Sequence, residues 1–178
     1  SYHKMNTPPL SPEERQALLK RLNAVQGYLH LGMHMEAWNE LESIEPKDRG
    51  RIEVLKARLE VCRSLEGWEL MAEIAQHLGK LEPEEAEHPI NLAFAVRRFK
   101  DTQAAAKILE EAKNRFPQEA TIPYNLACYR AVVGRVAEAK VFLAEAFSLD
   151  ASLRVTSLDD SDLAGVWDSF TLQQENQT

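Results

Sequence analysis

Apolar residues recur along most of this chain at three- and four-residue spacings, with charged and polar residues filling the positions between them. That is the periodicity of helices that are apolar on one side only. The pattern predicts helices near residues 12–31, 33–45, 50–65, 68–81, 86–99, 102–115, 119–133 and 135–148, separated by turn signals at Gly32, Gly67, Pro83, Pro117 and Gly134. Ser11-Pro12-Glu13-Glu14 marks the first start. Ser is a good N-cap, Pro fits the first helical position, and the acids complement exposed helix N–H groups.

The pattern repeats. At a shift of 34 residues, Gly32, Glu66, Lys100 and Gly134 fall in one column at the expected turn between two helices. In the same register Ala37, Met71, Ala105 and Ala139 form a small-residue column, broken only by Met71. Leu41, Ala75, Leu109 and Leu143 form an apolar one, and Ile44, Leu78, Ala112 and Ala146 another. Each unit is thus a pair of amphipathic helices that cannot cover its own apolar side, so neighbouring units must stack to bury a shared core.

In the fourth unit, Tyr124-Asn125-Leu126-Ala127, Gly134, Ala139, Leu143 and Ala146 stand at the spacing of the tetratricopeptide signature. The third carries Asn91-Leu92-Ala93, Ala105, Leu109, Ala112 and Pro117 in the same places. The first two units diverge, with Ala24-Val25 and Arg58-Leu59 at the Leu-Ala position, while Trp68 keeps the frame. Over roughly residues 16–150 the chain resembles the tetratricopeptide-repeat family. The resemblance implies an all-α fold, a right-handed helical-hairpin solenoid of about four units with a C-terminal capping helix.

On that frame residues 1–11 are expected to be a flexible N-terminal segment and residues 12–150 the array, with units at about 12–49, 50–83, 84–117 and 118–150. Residues 151–170 are expected to form a capping helix, carried by Leu153, Val155, Leu158, Leu163, Val166, Trp167 and Phe170. Ser161-Asp162 offers a start within it, and the acids Asp159, Asp160 and Asp162 suit a helix N-terminus. Residues 171–178 are expected to be a mobile tail.

Composition narrows the function classes. The chain has 178 residues, 44% hydrophobic and 28% charged, enough to bury a core, and only 7 Gly and 8 Pro. A net charge of −7 without a basic run speaks against a nucleic-acid partner. Cys62 and Cys128 lie far apart inside apolar helical pattern, so neither a disulfide framework nor a metal knuckle is suggested, and a reducing cytoplasm is the expected compartment. No apolar run approaches the length of a membrane span, so membrane insertion is not expected.

In the tetratricopeptide family the first helix of each pair lines a concave face that holds an extended peptide. Carried onto this chain, that face has a column of Asn23, Ala57, Asn91 and Asn125, whose amides could pair with a peptide backbone. The alternative is that Asn91 and Asn125 bridge adjacent helices. Neighbouring columns add Lys56, Arg63, Phe94, Arg97, Arg98, Tyr124 and Cys128, a lining that could meet an acidic ligand, although Glu53, Glu60 and Glu87 lie among them. Chaperone-docking members clamp a C-terminal carboxylate with Lys, Asn and Arg over three units. Lys56 and Asn91 match two of those columns, but Glu60, Thr121 and Asn125 depart from the rest, so that clamp is not expected.

His30 and His34 are four apart, but Gly32 and a turn separate them. They and His77 and His88 are expected to be surface or turn histidines rather than metal ligands, and no metal or cofactor is expected. No nucleophile with its base, phosphate loop or carboxylate pair stands in supporting context, so an enzyme is not expected. The leading expectation is a protein- or peptide-binding scaffold whose partner the sequence does not identify. The second is a self-assembly module, a homo-oligomer formed through Leu10, Leu18 or Trp167.

Overall fold

The computed structural model describes residues 7–175, with side chains as far as Phe170, and every regular element among them is helical. The chain divides into two units, Ser1–His88 and Pro89–Thr178. In the first, α1 (Pro12–His30) packs on α2 (His34–Glu42), a 3₁₀ turn follows at Pro46–Asp48, and α3 (Ile52–Ser64) packs on α4 (Trp68–Leu81). The helix α5 (Glu87–Phe99) opens the second unit. It is followed by α6 (Thr102–Arg115), α7 (Thr121–Val132), α8 (Val136–Leu149), the short α9 (Leu153–Leu158), a 3₁₀ turn at Ser161–Leu163 and α10 (Ala164–Glu175).

The helices start where the sequence places them for local reasons. Ser11 Oγ accepts from the Glu14 N–H at 3.1 Å while the Glu14 carboxylate accepts from the Ser11 N–H at 2.9 Å, a complete capping box ahead of Pro12. The small column Ala37, Met71, Ala105 and Ala139 is fully buried, and the columns led by Leu41 and Ile44 are buried too. In the first unit Leu18, Val25, Ala37, Leu41, Ile44, Val54 and Val61 form one core, on which Leu10, Leu22 and Trp38 pack. Burying a side chain such as Leu41 stabilises the fold by about 1.5–3 kcal/mol.

Three of the four turns between paired helices share one backbone solution. Gly32 and Gly134 have φ of 70° and 80°, and Glu66 has φ of 57°. At each, the following N–H reaches back five residues: Met33 to the Tyr28 carbonyl, Gly67 to Cys62 and Arg135 to Arg130, all at 2.8 Å. This is the Schellman closure, which needs a left-handed residue and therefore favours glycine. The third turn is one residue shorter. Lys100 is not left-handed there, and Asp101 Oδ1 instead caps α6 by accepting from the Ala104 N–H at 2.6 Å.

Several expectations need correction. The single capping helix over residues 151–170 is instead α9, a 3₁₀ turn and α10. Asp160 Oδ1 accepts from the Asp162 N–H at 3.0 Å, a local side-chain bond that competes with helix continuation. The helix α10 runs on to Glu175, into the stretch expected as a mobile tail, and residues 176–178 lie outside the described ones. Of the segment expected to be flexible, residues 1–6 also lie outside them, whereas the Pro8 carbonyl accepts from Arg51 Nη2 at 2.7 Å. His88 is buried rather than at the surface, its Nε2 donating to Glu82 at 2.8 Å. Leu18 is buried and Leu10 packs on the core, so neither is an exposed contact for a second copy.

Candidate functional site

Helical spacing places Asn91, Phe94, Arg97 and Arg98 along α5 and Tyr124, Asn125 and Cys128 along α7, all in the second unit. Arg97, Tyr124 and Cys128 meet on a common object, the chain's own residues Asp160–Leu163. Arg97 Nη1 and Nη2 donate to the two carboxylate oxygens of Asp162 at 2.5 and 3.0 Å. Tyr124 Oη donates to Asp160 Oδ2 at 2.8 Å, and the Cys128 thiol reaches the same oxygen at 3.6 Å. The Arg97 guanidinium also lies 5.0 Å from the Tyr129 ring centroid, which fixes it from behind by a cation–π contact.

The segment is anchored on both sides of these carboxylates. Leu163 and Val166 are fully buried. Trp167 Nε1 donates to the Ser157 carbonyl at 2.9 Å, closing the turn between α9 and α10. The intervening loop therefore presents Asp160 and Asp162 toward α5 and α7, where all three side chains that meet them are donors.

Electrostatics agree with the hydrogen-bond directions. Burial, followed by the hydrogen bond to Asp160, holds the Tyr124 phenol above its ordinary range, so it stays a donor. Burial first, and then the Asp160 charge, likewise keeps Cys128 a thiol. The hydrogen bond to Asp162 raises the Arg97 guanidinium further. A thiol held protonated by burial and a neighbouring negative charge is a poor nucleophile.

One oxygen each of Asp160 and Asp162 and the Cys128 sulfur lie within 4.8 Å of one another, close enough to suggest a metal site. The donor chemistry does not fit. Both oxygens of Asp162 are engaged by Arg97, and a cation would have to displace that guanidinium and deprotonate a thiol whose environment opposes it. The cluster is a satisfied ion-pair network.

The other expected residues are placed differently. Asn91 is buried, Asn125 half-buried and Asn23 exposed. Arg98 is exposed, its guanidinium 3.4 Å from the Phe94 ring centroid and its Nη1 donating to the Phe94 carbonyl at 2.8 Å. In the first unit Lys56 Nζ pairs with Glu82 at 2.8 Å and Arg63 Nε with Glu60 at 3.3 Å. Sequence reasoning missed Asp160 and Asp162 as occupants of this face, because their acidity was equally well explained by a helix start. It also missed an apolar cavity of about 230 Å³ in the first unit, lined by Met35, Trp38, Cys62, Leu65, Gly67 and Leu70. Burial there pushes the Cys62 thiol up to about 11.

No protein-family model and no curated protein matches the sequence. Among solved structures the fold is similar to TTC0263, a thermophilic TPR protein of Thermus thermophilus. The two share 17% identity and a TM-score of 0.65, over 85% of this chain and 82% of that one. It is also similar to MamA MSR-1 C2, at 16% identity and a TM-score of 0.60, over 74% of this chain and 76% of that one. The all-α repeat architecture expected from the 34-residue period is thus the one found.

Proposed function

We propose that this chain, whose fold is that of tetratricopeptide-repeat proteins, is a scaffold that binds a partner protein through the first helices of its hairpins. The observation that carries the reading is the grip of Arg97, Tyr124 and Cys128 on residues Asp160–Leu163. Side chains from two successive first helices hold a short 3₁₀ turn and the residue before it by their carboxylates, the kind of side-chain grip a peptide-binding scaffold uses. The MamA and TTC0263 likeness supports the architecture and leaves the partner to be found by experiment.

Phe94, Arg98 and Asn125 border this grip on the same two helices and supply apolar, cationic and amide groups for a partner. Asn23, Lys56 and Arg63 would serve the first unit in the same way, and Asn91 would support its neighbours from a buried position. The test is affinity capture from a soluble lysate with the intact chain and with Phe94→Ala/Arg98→Ala/Asn125→Ala. The expected result is a protein retained in stoichiometric amount by the intact chain and lost by the variant, with helicity unchanged. Equal retention by both forms, or none by either, sinks the reading. A stable dimer in light scattering with nothing retained would favour self-assembly instead.

A further inference from the structure

The geometry points to a specific ligand chemistry. We propose that the α5–α7 face of the second unit recognises an acidic segment of a partner protein, two carboxylates two residues apart followed by a leucine-sized side chain. The chain's own Asp160-Ser161-Asp162-Leu163 occupies that site until such a partner displaces it. This deepens the scaffold reading and rests on it.

The recognising groups are matched to carboxylates. Arg97 offers a planar fork that engages both oxygens of one carboxylate, a geometry that a single-point cation cannot reproduce. Tyr124 and Cys128 add two donors converging on one oxygen of the other, 2.8 and 3.6 Å away. An amide or hydroxyl in place of either carboxylate would lose the charge-assisted bonds from Arg97 or Tyr124. The next residue, Leu163, is fully buried and supplies the apolar anchor. Specificity therefore resides in the order carboxylate, any residue, carboxylate, apolar residue, and not in the backbone.

The helices flanking the occupant nevertheless leave apolar side chains uncovered. On its N-terminal side α9 is only six residues long, and Val155 and Leu158 on it are 72% and 62% exposed. On the far side Phe170 is 45% exposed. A tethered occupant competes at an effective concentration of about a millimolar. A partner carrying the same sequence of groups would thus bind the intact chain with an apparent affinity reduced by the fraction of time the site is open.

The experiment uses a fluorescein-labelled peptide of residues 157–166, Ser-Leu-Asp-Asp-Ser-Asp-Leu-Ala-Gly-Val, and full-length chain. Anisotropy titrations compare the intact chain, Asp160→Asn/Asp162→Asn, and that variant with Arg97→Ala added. Alkylation of Cys128, mapped by mass spectrometry, reports whether its cover has lifted, and circular dichroism reports whether the helices persist.

The expected result is binding at least about tenfold tighter to the double-Asn chain than to the intact one, lost again on adding Arg97→Ala. Cys128 should become reactive in the double-Asn chain and be protected once more by the peptide, with helicity retained. Cys128 still protected, or helicity lost with the carboxylates, would make the segment a fixed part of the core and overturn the proposal. An accessible Cys128 without peptide binding would overturn the acidic specificity while leaving partner capture through Phe94, Arg98 and Asn125 intact. Segment exchange between copies, seen as a dimer by sedimentation, would replace the partner protein with a second copy and overturn the proposal as stated.

Discussion

Arg97 and Asp162 lie 65 residues apart in sequence and meet through two hydrogen bonds, at 2.5 and 3.0 Å, with both side chains less than a third exposed. Hydrogen bonds to charged groups are worth more than neutral ones, and a fork engaging both oxygens adds geometry to charge. The pair ties the segment before α10 to the last turn of α5, so it is a stability element whatever the face goes on to bind.

Replacing Arg97 should therefore destabilise the second unit. Arg97→Ala is expected to cost about 1–2 kcal/mol, toward the low side of a charged hydrogen-bonded pair because water still reaches both partners. Arg97→Lys keeps the charge but not the fork and should cost about half as much. Urea titrations read this as a lowered midpoint at unchanged slope. An unchanged midpoint for Arg97→Ala would mean that the buried Leu163 and Val166 and the bonds to Asp160 and Ser157 hold the segment without the ion pair.

The turn column yields a substitution that should stabilise. Glu66 is the one non-glycine residue with positive φ among the described residues, in a closure that Gly32 and Gly134 make without strain. Glu66→Gly relieves a left-handed side chain at the cost of some unfolded-chain entropy, for a net gain of about 0.5–1 kcal/mol. Gly134→Ala should lose about 1 kcal/mol, and for conformational reasons alone, since an added Cβ would meet nothing within 4 Å. Lys100→Gly should bring no gain, because the third turn is built without a left-handed residue. Thermal or urea midpoints of the three variants check the set, and a gain at Lys100 would contradict the turn assignment.

That contrast shows what the sequence makes legible. The three buried columns could be read because a repeat states the same packing requirement four times, and Ala37, Ala105 and Ala139 keep the same answer where Met71 does not. Lys100 aligns with the turn glycines because α2, α4, α6 and α8 all start in 34-residue register, but α5 runs one residue further than α3 does and so shortens its turn, which a period cannot reveal. The grip on Asp160 and Asp162 was hidden for a different reason. Local rules explain acids before a helix, and only the fold brings them to Arg97 and Tyr124. The sequence suggests only a surface or turn position for His88, because its partner Glu82 sits in the preceding loop, where no helical spacing links them.

Glu82 also carries a pH prediction. Its Oε2 lies 2.8 Å from Lys56 Nζ and 2.8 Å from His88 Nε2. The Lys56 hydrogen bond, helped by the one from His88 and opposed by burial, holds the Glu82 carboxyl below its ordinary value of 4.5. A carboxyl with a depressed folded-state pKa binds its proton more readily when unfolded, so its contribution is complete above about 4.5 and is lost as pH falls through the lowered value. Lys56 is raised above 10.5 by the same bond, so its share is lost only in strong alkali. Glu82→Gln keeps an acceptor for His88 but removes the charge, and should lower stability by about 0.5–1 kcal/mol at pH 6, the scale of a partly exposed pair. The gap between variant and parent should close on acidification toward pH 3, read from urea midpoints across the series. A gap that persists there would show that Glu82 acts through packing and not through its charge.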